Sequence, residues 1–217
     1  MRPIRYFVVD VPVPVKETVK VGDVEIFLDN RFNEFTHRAF EGEVVGVPAR
    51  YDTGVEIGDT LYFHHHVVLG GNHMLYRDQQ IQEVKGKRGQ YIYADKDLYY
   101  VTYDGGRDPY VCQAYAHKSK KTGEVKLLGE WIFLTPAKQE DELKSDILEI
   151  VQKKKDYNQF GYIRYGSKQL EELGLREGDK VFFMKNADYE MEINGERLYR
   201  VLLNQIYAKV RDEKEEV

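Results

Sequence analysis

The chain has 217 residues, 42% hydrophobic and 32% charged, which fits a soluble globular protein of one large or two small domains and excludes a disordered tail or a membrane protein. Its 37 acidic and 32 basic residues leave a net charge of -5 spread along the sequence, which speaks against the basic face that a nucleic-acid partner requires. A lone Cys112 closes no internal disulfide, and no apolar run nears the roughly 18 residues of a spanning helix, so a cytoplasmic protein with no membrane partner is expected.

In chain order, Pro3, Pro12 and Pro14 interrupt the opening MRPIRYFVVDVPVPV where a secretory leader needs an unbroken apolar core, and the segment reads as a strand. Residues 22–43, GDVEIFLDNRFNEFTHRAFEGE, set Ile26, Phe27 and Leu28 in a row ahead of a polar run. Val24, Ile26 and Leu28 also alternate with Glu25, Phe27 and Asp29, which is the pattern of a half-buried edge strand. FEGEVVGVP at 40–48 and EIGDTLYFHH at 56–65 read as further strands, the second entered through a Gly58-Asp59 turn. Glycine there supplies a positive φ and aspartate a side-chain acceptor. Residues 66–93 read as an extended flap, and DLYYV at 97–101 and AYAHK at 114–118 as strands. The 17 tyrosines and 10 phenylalanines, many in short alternating runs, favour an all-β chain.

The second half repeats the first. RYFVVDVPVPVKE at 5–17 is matched by EWIFLTPAKQEDE at 130–142, FEGEVVGVP by QFGYIRYGS at 159–167, and EIGDTLYFHH by REGDKVFFMK at 176–185. DLYYV is echoed by RLYRV at 197–201 and AYAHK by IYAKV at 206–210, so all the blocks recur in the same order. The spacing divides the chain into a first barrel at 1–118, a linker hairpin at 119–129 and a second barrel at 130–217. EMEINGERLYRV predicts a hairpin around Asn194-Gly195. SKQLEELGLREG, with Leu170, Leu173 and Leu175, offers one short helix.

An N-terminal strand, a loop with an apolar triplet, GEVVGV, a Gly-Asp turn before TLYF, a hairpin and a closing strand together resemble the GroES-type co-chaperonins. The resemblance covers nearly all of both halves and implies two small irregular GroES-like β-barrels in tandem. It further implies a non-enzymatic co-chaperonin that caps an ATP-dependent GroEL-type chaperonin ring, assists folding, needs no cofactor and forms a homo-oligomer, itself a ring. The family's apolar mobile-loop triplet falls on Ile26, Phe27 and Leu28. In the second copy it falls on Ile147, Leu148, Ile150 and Val151, where Glu149 interrupts the run and Lys153 to Lys155 follow. The alternative is a structural or assembly β-barrel protein, for example viral, that keeps the fold without binding a chaperonin.

Catalytic signals are thin. FHHHVVLGGNH would put His64 and His66 on one strand face with His73 across a hairpin, but no Asp or Glu lies among them, and no metal site is expected. Cys112 has no His and Asn arrangement, no G-x-S-x-G occurs, and the glycines of KGKRGQ and GGRDPYVC lack the strand-then-helix context of a phosphate loop.

Overall fold

The computed structural model describes residues 3–16, 18–27, 38–68, 73–77, 80–84, 91–93, 97–109, 111–138 and 156–210. The chain divides into two compact units, Met1–Gly129 and Glu130–Val217. Both are built of antiparallel strands, so the protein is all-β.

In the first unit the strands are β1 (Tyr6–Asp10), β2 (Thr18–Val21), β3 (Val24–Phe27), β4 (Glu41–Gly46), β5 (Thr60–Phe63), β6 (His73–Arg77), β7 (Gln80–Val84), β8 (Tyr91–Tyr93), β9 (Leu98–Thr102), β10 (Ala114–Lys118) and β11 (Val125–Leu127). The second unit contributes β12 (Trp131–Lys138), β13 (Asp156–Tyr165), α1 (Lys168–Glu172), β14 (Lys180–Phe183), β15 (Tyr189–Ile193), β16 (Glu196–Leu202) and β17 (Ile206–Lys209).

The main sheet of the first unit has the order β11-β10-β5-β4-β1-β9-β8, and that of the second β15-β16-β12-β13-β14-β17. Read in the opposite direction, the second order matches the first strand for strand once β11 is set aside. Thus β1 corresponds to β12, β4 to β13, β5 to β14, β8 to β15, β9 to β16 and β10 to β17. Every block that recurs in the sequence falls on one of these equivalent pairs.

The correspondence extends to single residues. Val9 lies opposite Val44 and Tyr99, and Leu134 lies opposite Ile163 and Tyr199. The ladder slips between Val8 and Val9 in one unit and between Phe133 and Leu134 in the other. Such bulges bend a strand and increase its twist. Gly42 and Gly161 hold the equivalent position in β4 and β13, where the neighbouring strand passes too close for a side chain. A Cβ on Gly42 would lie 2.8 Å from the Asp10 carbonyl oxygen, and one on Gly161 would lie 2.8 Å from Leu134 Cβ.

Central strands carry continuous apolar runs because both of their faces are covered: Phe7, Val8 and Val9 are buried in β1, and Trp131 through Leu134 in β12. Each unit packs a core of its own. Phe7, Val9, Val44, Leu61, Phe63, Tyr99 and Val101 anchor the first, and Ile132, Leu134, Ile163, Val181, Phe183, Tyr199 and Val201 the second.

Neither sheet closes on itself. Among the described residues no pairing joins β11 to β8 or β15 to β17, so the two units share one sheet topology without the closure that the expected small irregular barrels call for. The expected linker hairpin is part of the first sheet, with Ala116, His117 and Lys118 of β10 opposite Leu127, Lys126 and Val125 of β11. Asn194 and Gly195 turn the β15–β16 hairpin with φ of 55° and 76°, as a type I′ turn requires.

Candidate functional site

The chain leaves the first sheet after β1 and returns to it at β4. The base of this excursion is pinned: Val15 bridges to Arg38, the Ala39 N–H donates to the Pro14 carbonyl at 2.9 Å, and buried Arg38 donates from Nη1 to the Val68 carbonyl at 3.3 Å. Between these anchors, β2 and β3 form a separate two-stranded ribbon that joins neither main sheet. Its register pairs Thr18 with Phe27, Val19 with Ile26, Lys20 with Glu25 and Val21 with Val24. Gly22, with φ of 61°, opens the two-residue turn in the way a type II′ turn uses glycine.

Opposed residues of an antiparallel pair point to the same face. Val21, Val24 and Ile26 therefore share one face, and Thr18, Glu25 and Phe27 the other. The Thr18 hydroxyl donates to Glu25 Oε1 at 2.8 Å on that second face. Ile26 and Phe27 thus point away from each other, and the apolar triplet is split between two faces of a hairpin. Both are open to solvent, with Phe27 at 83% and Ile26 at 46% of full exposure, and Val21 and Val24 are exposed beside them. An apolar ribbon of this kind carries little stability by itself, since a lone two-stranded hairpin is marginal in water.

Leu28 lies outside the described residues, as do Ile147, Leu148, Ile150 and Val151 of the second copy. The two segments nonetheless occupy one place in the topology: 11–40 links β1 to β4, and 139–155 links the equivalent β12 to β13. Sequence reasoning began at Gly22 and so missed the hairpin. TVKV and VEIF on either side of a Gly-Asp pair carry its signal.

The Gly-Asp turns before β5 and β14 are the best-defined polar centres. Gly58 and Gly178 have φ of 90° and 88°. Each donates its N–H at 2.8 Å, to the Val44 and the Ile163 carbonyl respectively, and Asp59 and Asp179 return the bond through their own carbonyls. Asp59 Oδ2 accepts the Glu56 N–H at 3.0 Å and lies 3.1 Å from His117 Nδ1, while Oδ1 accepts the Lys120 N–H at 2.9 Å. Asp179 Oδ2 accepts the Arg176 N–H at 2.9 Å, and Oδ1 meets Lys209 Nζ at 2.9 Å. Burial by itself raises both carboxyls. The donors around them outweigh it, chiefly the Glu56 and Lys120 amides at Asp59 and Lys209 at Asp179, and hold both below the ordinary aspartate value. Both act as structural centres, each tying a turn to its neighbouring strands.

A second repeated pair escaped sequence reading. Gln113 Oε1 accepts the Thr102 N–H at 3.4 Å, and Gln205 Oε1 accepts the equivalent Leu202 N–H at 2.8 Å. One more residue at the left of the aligned blocks, QAYAHK against QIYAKV, reveals it.

His64 to His66 do not continue β5. Residues His65–Val68 turn into a 3-10 helix, which gathers all three rings instead of alternating them along a strand. The side chain of His73 lies outside the described residues. Cys112 is buried, donates from Sγ to the Ala114 carbonyl, and has its thiol pushed up to about 12 by that burial, which disfavours the thiolate. No helix among the described residues is long and apolar enough to cross a membrane.

No protein-family model matches the chain, and no curated protein matches it.

Proposed function

We propose that the protein is a co-chaperonin with two GroES-like modules, which presents the β2–β3 hairpin to an apolar groove of an ATP-driven GroEL-type chaperonin ring and assists protein folding in the cytoplasm. The observation that carries this reading is the exposure of Ile26 and Phe27 on a ribbon inserted between the first two sheet strands of a module that the chain repeats. Large exposed apolar side chains on a narrow two-stranded ribbon suit a contact that must form and release.

Magnitudes favour weak single contacts and strong collective ones. Burying a large apolar side chain on a partner contributes roughly 1.5 to 3 kcal/mol. Ordering a loop residue costs about 1 kcal/mol or more. Pairing β2 with β3 before docking removes part of that cost. Several hairpins on a homo-oligomeric ring raise avidity by roughly 10² to 10⁴ over one contact. ATP hydrolysis belongs to the partner, and this chain contributes no catalytic residue.

The test is ATP-dependent co-sedimentation of the full chain with a purified GroEL-type ring. The wild-type chain is expected to co-sediment and Phe27→Asp to remain in the supernatant with an unchanged far-UV circular dichroism spectrum. Wild-type oligomers that ignore the ring with and without ATP would overturn the reading in favour of a structural or assembly protein.

A further inference from the structure

The turn that follows β5 and the turn that follows β14 are held by equivalent backbone hydrogen bonds, although the first continues as a 3-10 helix and the second passes through Asn186 at φ 61°. The His64 N–H donates to the Gln113 carbonyl at 3.0 Å, and the Met184 N–H to the Gln205 carbonyl at 2.9 Å. The Val67 N–H then donates back to the His64 carbonyl at 2.9 Å, and the Ala187 N–H to the Met184 carbonyl at 3.1 Å. The second unit builds this turn from Met184, Lys185 and Asn186, whereas the first places His64, His65 and His66 there. The fold therefore does not demand imidazole at these positions, and the histidine cluster needs a reason of its own.

Its geometry supplies one. The ring centroids of His64 and His65 are 4.5 Å apart, those of His64 and His66 4.2 Å, and those of His65 and His66 4.5 Å. One ring nitrogen from each lies within 4.8 Å of the others. His65 is buried, His64 is half-buried and His66 is exposed, so the cluster has a closed floor and an open mouth. Aromatic edges support it from inside: Phe40 stands 6.3 Å from the His65 ring and Tyr115 6.2 Å from that of His64.

We propose that His64, His65 and His66 form a three-imidazole site for a divalent transition-metal ion of the zinc class, with water completing the coordination at the open mouth. Neutral imidazole is the commonest side-chain ligand for such ions, and three of them with one open position are a recurrent zinc arrangement. Zn–N bonds of about 2.0–2.1 Å need donor nitrogens about 3.4 Å apart, a contraction within reach of side-chain torsions. The His66 N–H donates to His64 Nδ1 at 3.1 Å, so coordination at that nitrogen replaces one local hydrogen bond. Hard cations such as Mg²⁺ and Ca²⁺ prefer oxygen ligands and are excluded by the donor set.

The experiment uses the full chain without an affinity tag, titrated with Co²⁺ and then Zn²⁺. A saturable Co²⁺ ligand-field band that a single equivalent of Zn²⁺ abolishes is expected for the wild type, for His37→Gln and for His73→Gln. It should be lost in His64→Gln/His66→Gln, which leaves the buried His65 in place. Because that double variant must also keep its fold, Zn²⁺ protection of His64 and His66 from diethyl pyrocarbonate is read by mass spectrometry on the unaltered chain. No saturable band in the folded wild type, or no protection of these two residues, would overturn the proposal.

Discussion

Asp59 and Asp179 occupy the same turn in two copies of one sheet, yet each takes a different side-chain partner from the equivalent position of the strand paired with β5 or β14: His117 from β10 and Lys209 from β17. The difference follows from what covers the strand. β10 lies between β5 and β11, and the side chains of His117 and Asp59 are 3% and 5% exposed. β17 is the edge of its sheet, and Lys209 is 47% exposed. An ammonium is costly to bury, whereas an imidazole satisfies the carboxylate without carrying an obligatory charge. The shared topology thus fixes where an acidic cap belongs, and local burial decides which partner it takes.

The sharpest way to break this comparison is to remove each carboxylate in turn. Asp59→Ala leaves buried His117 and two part-buried backbone N–H groups without their acceptor, and it is expected to cost the first unit about 3 kcal/mol. Asp179→Ala opens a half-exposed pair, screened by water, and should cost the second unit about 1 kcal/mol or less. The molecule carries one natural reporter in each unit: Cys112 is the sole cysteine and Trp131 the sole tryptophan, and both are buried. Asp59→Ala should therefore speed reaction of Cys112 with an aromatic disulfide. Asp179→Ala should lower the urea midpoint read by Trp131 fluorescence.

Acid sharpens the same contrast. Both carboxyls titrate below their unfolded value of about 3.9, so the stability they contribute is complete above that value and is lost as pH falls through the folded one. The gap in Cys112 protection between wild type and Asp59→Asn should be widest from about pH 5 upward and should narrow toward pH 3. A gap that stays constant down to pH 3 would mean that the Asp59 charge contributes nothing.

Next in size are the two equivalent glycines of β4 and β13. Gly42→Ala drives a methyl to 2.8 Å from the Asp10 carbonyl oxygen and 2.7 Å from Val11 Cγ2, and Gly161→Ala to 2.8 Å from Leu134 Cβ and 3.1 Å from the Thr135 carbonyl oxygen. Each should destabilise its own unit by about 1–3 kcal/mol, with Gly42 the more sensitive because backbone yields least. Equilibrium urea unfolding checks both substitutions against the wild type.

Much of this organisation is legible in the sequence because bulges, Gly-Asp turns and edge position each leave a local mark. The Gly-Asp pairs, the Asn194-Gly195 hairpin and the order of the blocks are all visible there. Sheet closure was not, because it depends on whether short edge strands such as β8 meet a distant partner, and nothing local records that. The His117 and Lys209 partnerships were equally hidden, since they join residues far apart along the chain. At the hairpin the residues were found but their geometry was not: a row of three apolar side chains reads as one patch until the β2 register assigns Ile26 and Phe27 to opposite faces.

That split makes the smallest stability effect the most informative. Phe27 is 83% exposed, faces the side shared with Thr18 and Glu25, and belongs to neither core, so Phe27→Asp should change the urea midpoint by less than about 0.5 kcal/mol in equivalent stability. Ile26→Asp acts on the opposite face, beside Val21 and Val24, and should be equally silent in unfolding. A partner that grips one face of the ribbon will lose affinity in one variant and keep it in the other, whereas a groove that encloses both faces will lose affinity in both. The pattern across the two variants therefore identifies which face of the hairpin is the contact. If either substitution shifts the urea midpoint strongly, the ribbon packs against its own unit and is no handle at all.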